Sequence, residues 1–263
     1  MRRFFPIRSP FPWAHRCAPL LGDLSPFASQ NRDFAHDGLM PDARYPDIRF
    51  LDELGSICKT RNKLPHWQQD HCACFVTFRL KDSIPLDVMS HWKKDRLDWL
   101  EMNPQPWDFE TEQAYHRKFS RFIDQQLDQC HGSCLLRHAG HSRVVDESLK
   151  HFDRTRYILH CHVVMPNHLH VLFSVDARKS ISSVVSTWKR WTATRIGQMS
   201  GEPGGIWQRD YFDRLIRDWD HFVNVARYIR NNPRKAGLPA GAYQLYEAPW
   251  IERLLDESRR GGQ

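Results

Sequence analysis

The stretch Met165-Pro166-Asn167-His168-Leu169-His170-Val171-Leu172 puts two imidazoles one residue apart at the start of an apolar run. In a strand, side chains alternate faces, so His168 and His170 project together while Leu169 and Val171 project to the other side. Two imidazoles on one face, backed by a packed face, form a two-point clamp for a metal ion. Such a clamp needs at least one further ligand, and a reaction needs a reactive group. The segment Phe222 to Asn232 offers both. Phe222, Val225, Ala226 and Ile229 follow the i, i+3, i+4, i+7 spacing of a core stripe. Tyr228 falls just off that stripe, near the sheet and not fully sunk, and Asn232 lies one turn further on the same side. A helix laid across the sheet would bring a phenol and an amide oxygen to one cation.

Plainer readings stand beside this one. His160-Cys161-His162 is a second His-x-His, but it lacks the Pro-Asn lead-in and is read as two sheet residues. Tyr228 alone fits a helix edge. Asn232 before Pro233 fits a plain helix stop, because a residue preceding proline avoids the helical region.

The elements that must hold these residues follow from periodicity. Residues 74–80 alternate and are β-rich, predicting a first strand. Residues 86–100 and 111–129 carry helical apolar spacing, separated by the breaker Asn103-Pro104-Gln105-Pro106. A third helix is expected from Ser142 to Phe152. Tyr157 to Val164 and His168 to Val175 read as a strand hairpin interrupted at Pro166-Asn167, since proline cannot donate to a central ladder. Ser180 is placed to cap a helix over 181–198, Gly201 to Gly205 forms a loop, and Ile206 to Ile216 holds a last strand. Helix signals resume at Asp220 and stop at Asn232-Pro233. The order predicts an α+β fold with an antiparallel sheet. Residues 1–45 read as a flexible extension, with Met40 an alternative start. Residues 46–250 form the main domain with a helical insertion at about 86–129, and 251–263 a frayed polar tail.

The chain of 263 residues carries 38 Lys+Arg against 31 Asp+Glu, a net charge of +7. This surplus fits a phosphate-rich partner or simply a solvated basic surface. Seven cysteines, an odd number, fit reduced thiols, and neither Cys72-Ala-Cys74 nor Cys130 with Cys134 has the paired spacing of a zinc ribbon. The first 22 residues are basic, but Pro6, Pro10, Pro12 and Pro19 break any leader helix. No apolar run approaches the roughly 20 residues of a membrane span.

Three motifs then point to a family. MPNHLHVL (165–172), WQRDYFDRLIRD (207–218) and RYIRNNPRKAGL (227–238) together resemble the REP-associated tyrosine transposases, which belong to the HUH-type, single-tyrosine, insertion-sequence-200-like transposases. PHWQQDHCACFVTFRL (65–80) and RYILHCHVVMPNHLH (156–170) look like that family's long-form members, so the resemblance spans roughly residues 60 to 250. It implies a ferredoxin-like, RRM-like HUH fold with an extra helical segment. It assigns His168 and His170 as metal ligands, Asn232 as the third ligand and Tyr228 as the nucleophile. Arg217 matches an arginine of the family's IRD-like segment, or simply pairs with Asp213 or Asp218. The N-terminal extension and segment 86–129 inherit no function from the match.

The chemistry implied is attack by Tyr228 on a phosphodiester, giving a 5′-phosphotyrosine and a free 3′-OH that is later rejoined without ATP. A divalent ion, Mn²⁺ or Mg²⁺, is the expected cofactor, with Mn²⁺ the better match to two imidazoles and an amide. A phenol with a free pKa of about 10 needs activation, and no residue stands out as the base. The implied partner is single-stranded DNA with a hairpin, of the repetitive extragenic palindrome kind, met in the bacterial cytoplasm and nucleoid. Lys189, Arg190 and Arg195 with Trp188 and Trp191 could supply phosphate contacts and stacking, and Arg234 and Lys235 could hold the backbone. By residue type alone, the tryptophans read as core rather than stacking platforms, and the basic cluster as a solvated face rather than a DNA site. Monomer and homodimer both remain open. Two other functions compete: a metal-dependent phosphodiesterase that uses water, and a domesticated DNA-binding protein that does not cut.

Overall fold

The computed structural model describes residues 48–52, 58–61, 65–69, 71–104, 109–176, 179–201 and 204–260. The expected N-terminal extension, Gln105-Pro106 of the expected breaker, residues 202–203 of the expected loop and the last three residues lie outside these ranges.

Two short strands, β1 (Cys58–Arg61) and β2 (Pro65–Gln68), pair with each other antiparallel. The main sheet begins with β3 (Ala73–Arg79) and continues with β4 (Tyr157–Val164), β5 (His168–Val175), β6 (Phe212–Leu215) and β7 (Gln244–Glu247). Its order is β6-β3-β5-β4-β7 and every pairing is antiparallel. The fold is α+β. β3 to β6 follow the strand–helix–strand–strand–helix–strand plan of ferredoxin-like domains.

Between β3 and β4 lie α1 (Leu86–Met102), α2 (Phe109–Tyr115), a π turn (His116–Ser120), α3 (Arg121–Asp128) and α4 (Ala139–His151). α5 (Ile181–Ser200) follows β5, α6 (Trp219–Lys235) follows β6 and α7 (Pro249–Arg260) follows β7. The Ser180 hydroxyl accepts from the Ser183 amide at 3.0 Å, the N-cap that the sequence predicts for α5.

Strand alternation divides the core in two. Val76, Phe78, Leu169, Val171 and Phe173 point toward Val145, Leu149, Val185 and Trp188 of α4 and α5. Phe75, Cys161, Val163 and Leu172 point toward Phe222, Val225, Ala226 and Ile229 of α6 and Trp250, Ile251, Leu254 and Leu255 of α7. Both sheet faces are therefore covered.

Three expectations change. The strand in 206–216 is not the last, because β7 adds an edge beside β4. Residues 251–260 of the expected frayed tail are helical. Ile251 and Leu255 bury an apolar face spaced at i, i+4 against the core, and α7 runs to Arg260. Nor does α6 stop at Asn232-Pro233, since it continues to Lys235 with Pro233 inside. Proline removes one amide donor, but the last turn is closed by Ala236 N–H to the Asn232 carbonyl at 3.0 Å and Leu238 N–H to the Pro233 carbonyl at 2.9 Å.

Candidate active site

β5 and α6 build the site. Asp218 caps α6 by accepting from the His221 amide at 2.7 Å, and Phe222, Val225, Ala226 and Ile229 are fully buried along its stripe. Arg230 fixes the orientation of α6. It makes a two-pronged ion pair with Glu247 of β7 at 2.7 and 2.8 Å and a third bond to Asp256 of α7 at 2.7 Å.

That orientation lays Tyr228 over His170. The phenolic oxygen is 3.4 Å from His170 Nε2, and the two rings meet edge to face with centroids 5.1 Å apart. His168 and His170 share the α6 face, with centroids 4.8 Å apart. Each histidine is held at Nδ1. Asn167 Oδ1 takes the His168 bond at 2.7 Å, and Thr77 Oγ1, opposite on β3, meets His170 Nδ1 at 2.7 Å. Holding Nδ1 fixes ring orientation and leaves Nε2 for ligation. Phe75 stacks on His170.

Burial is the dominant electrostatic influence here. It pushes His168 down to about 3, with Lys235 adding to the effect, and pushes His170 well below the usual imidazole range, aided by His168 and Lys235. Both rings are neutral at physiological pH, the form that binds metals. Burial pushes the Tyr228 phenol well above its usual value, and Asp124 and Asp128 raise it further.

Asn232 is 1 % exposed, and neither its Oδ1 nor its Nδ2 has a hydrogen-bond partner. Its amide favours ionisation of the neighbouring phenol, a dipolar contact rather than a completed bond. A buried orphan amide costs stability unless something satisfies it. Two neutral imidazoles and a spare amide oxygen suit a divalent cation. Among the described residues no group of three or more His, Cys, Asp or Glu is placed to hold a metal.

The second His-x-His works differently. A bulge at His160 shifts the β4–β5 register between Leu159 and Cys161 and sends its two histidines to opposite faces. His160 bonds Ser174 and packs on Phe222 and Trp250, while His162 bonds Asp146 and stacks on Tyr246. They cannot share one ion.

The expected DNA-contacting residues are dispersed. Lys189, Arg190 and Arg195 lie on α5, across the sheet from the histidines. Lys189 is a loop anchor, donating to the Gln208 and Arg209 carbonyls at 2.6 and 2.8 Å, and burial lowers it to about 8. Arg195 reaches Gln198. Trp188 is core and donates to the Tyr157 hydroxyl, while Trp191 is exposed. Arg217 is also remote. It is exposed and follows Ile216, whose amide bonds Ala73, whereas His170 faces Thr77. Four residues of strand separate those levels, about 14 Å. At the end of α6, Arg234 is exposed, whereas Lys235 bonds Asp128 at 3.1 Å and acts electrostatically on both site histidines.

One site residue escapes the sequence motifs. Asp124 of α3 is buried, its charge raises the Tyr228 phenol, and desolvation lifts its own carboxyl to about 8. The available signal is an acid set inside a buried apolar stripe, between Ile123 and Leu127.

Comparison with known proteins gives three findings. The family described as "Transposase IS200 like" matches residues 143–232. A Haemophilus influenzae protein (strain ATCC 51907 / DSM 11121 / KW20 / Rd), described as "Uncharacterized protein", is 27% identical over 93 residues, 27% of this chain and 51% of that protein. The chain thus spans about half the length of this curated relative. A solved structure titled "Structure of the REP associates tyrosine transposase bound to a REP hairpin" is 14% identical, covering 66% of this chain and 73% of that one, with a TM-score of 0.38. The matched stretch, about a third of the chain, contains His168, His170 and Tyr228 and ends on Asn232, and over it the chain is similar to IS200-like transposases.

Proposed function

We propose that this protein is a transposase that nicks and rejoins single-stranded DNA beside a hairpin, with Tyr228 as its nucleophile. One observation carries the reading. A phenolic oxygen lies 3.4 Å from an imidazole nitrogen of a two-histidine face, within a single chain. The match over residues 143–232 supports the same reaction class. Neutral His168 and His170 with the Asn232 amide would hold the cation, Mn²⁺ or Mg²⁺. Such an ion, when bound, neutralises charge on the phosphate and orients it.

The chain's own residues do the rest. The Tyr228 oxygen attacks phosphorus, its bond to phosphorus forms and the bond to the 3′ oxygen breaks. A 5′-phosphotyrosine and a free 3′-OH result. A second 3′-OH then displaces the phenol, so the energy of the broken bond is retained. Phe75 and Thr77 keep His170 from rotating. Lys235 brings positive charge to the rim. The hairpin substrate, of the repetitive extragenic palindrome kind, is proposed from the motif resemblance.

The test is incubation of the full chain with hairpin-bearing single strands and Mn²⁺, followed by a denaturing gel. A protein–DNA adduct that Tyr228→Phe fails to form is the expected result. Cutting without any adduct would favour a phosphodiesterase that uses water. Binding without cutting would favour a DNA-binding protein that has lost the reaction.

A further inference from the structure

We infer that Arg79, the last residue of β3, binds a backbone phosphate of the substrate strand at the His168 end of the two-histidine face. This rests on the proposed function and adds a substrate-binding residue from outside the matched stretch 143–232.

Strand register places the side chain. Arg79 lies directly opposite His168 in the β3–β5 pairing, as Thr77 lies opposite His170. Residues directly opposite on antiparallel strands share a face, with Cβ atoms about 5 Å apart. The preceding odd-numbered residues of β3 take the α6 face. Ala73 and Phe75 pack in its core, and Thr77 meets His170 Nδ1 at 2.7 Å. Arg79 is next in that series, while its neighbours Phe78 and Leu80 go to the opposite core.

The surroundings of the guanidinium show what it is suited to hold. Arg79 is 9 % exposed. Its Nη1 donates to the Ser83 hydroxyl at 2.9 Å and lies 3.4 Å from the Leu80 carbonyl. Ser83 is fully buried and itself donates to Leu80 at 2.8 Å, so one prong of the fork is fixed. Among the described residues no carboxylate pairs with Arg79, and burial alone holds its pKa below the usual guanidinium value. The neighbouring cations of α6 differ. Arg230 pairs with Glu247 and Asp256, and Lys235 pairs with Asp128. A cation taken out of water without a counter-charge is costly. Bonds to a hydroxyl and a carbonyl do not require that charge, since a neutral donor would hold the same turn. A phosphate does use it. Guanidinium stays ionised in a dry site, and two of its N–H groups match two phosphate oxygens. Arg79 thus receives its counter-charge from the strand and holds that strand against the histidine face.

The full chain, Arg79→Gln and Arg79→Lys are compared on hairpin-bearing single strands. In these strands one phosphate at a time along the single-stranded flank is replaced by an uncharged methylphosphonate. Fluorescence anisotropy without metal measures affinity across salt, and a thermal melt establishes folding. Arg79→Gln keeps a donor for Ser83 and loses the charge. It should melt no lower than the unmodified chain and bind the all-phosphate strand roughly 10–100-fold more weakly. Its log–log salt slope should be shallower by about 0.7. Arg79→Lys should fall between the two. The Arg79→Gln loss should vanish on the strand neutralised at the phosphate that Arg79 holds. A folded Arg79→Gln with unmodified affinity and salt slope overturns the inference, as does a loss that persists equally on every methylphosphonate strand. An unmodified chain that loses no affinity at any neutralised linkage overturns it without recourse to a variant. Because these readouts need neither metal nor cleavage, an unmodified chain that binds but forms no adduct sinks Tyr228 as nucleophile and leaves the Arg79 comparison standing.

Discussion

Tyr228 and His170, 58 positions apart in sequence, meet with phenolic oxygen and Nε2 3.4 Å apart inside a fully covered face of the sheet. The contact joins the start of β5 to the third turn of α6. Every nearby polar group then acquires a role defined by how it serves that pair.

The histidine face should behave as one unit. His168→Ala is expected to lower Mn²⁺ affinity by at least about 100-fold and to abolish adduct formation while hairpin binding changes little. Thr77→Val removes only the group at His170 Nδ1, and orienting partners of this kind are worth roughly 10–100-fold in metal affinity. Isothermal titration with Mn²⁺ measures both. Unchanged Mn²⁺ affinity in His168→Ala would remove the clamp from the mechanism.

Asn232 separates metal binding from folding. Its two amide atoms are buried without partners, so Asn232→Leu should leave the metal-free protein as stable or make it more stable by roughly 1–2 kcal/mol. The same variant should lose the rise in melting temperature that Mn²⁺ gives the unmodified chain. If Asn232→Leu keeps the full Mn²⁺ shift, the third ligand is another group.

Asp124 should impose a pH slope on stability. Its folded pKa, about 8, is raised above the ordinary 3.8, chiefly by desolvation. Between those values the folded protein retains a proton that the unfolded chain has released, so stability falls as pH rises through the window. Asp124→Asn removes this contribution. It should match the unmodified chain near pH 4 and exceed it near pH 8 by on the order of 1–3 kcal/mol, at about 2–4 °C of melting temperature for each. Parallel melting curves across that range would show that the carboxyl is not strained by burial.

The last helix should matter as core. Ile251 is fully buried between α6 and the sheet, and Ile251→Ala is expected to cost roughly 2–5 kcal/mol. Chemical denaturation reads this directly. A loss below about 0.5 kcal/mol, the range of ordinary surface substitutions, would mean that α7 adds little to the face carrying Tyr228.

Local pattern alone fixed the two strands of the hairpin, the Ser180 cap, the apolar stripe of α6 and the shared face of His168 and His170. Each depends on periodicity within a few residues, and a sequence displays that openly. The same periodicity could not separate His168-x-His170 from His160-x-His162, because a bulge that flips one side chain leaves no mark in spacing. Nor could charge sort Lys235, which reaches the site, from Lys189 and Arg217, which do not. That distinction depends on which sheet face and which end of a strand each occupies. Asp124 was hidden for a related reason, since its meaning comes from α3 packing against α6 through Asp128 and Lys235. The chain wrote down the chemical groups and their local aim, and long-range packing decided which of them share a space small enough and dry enough to react.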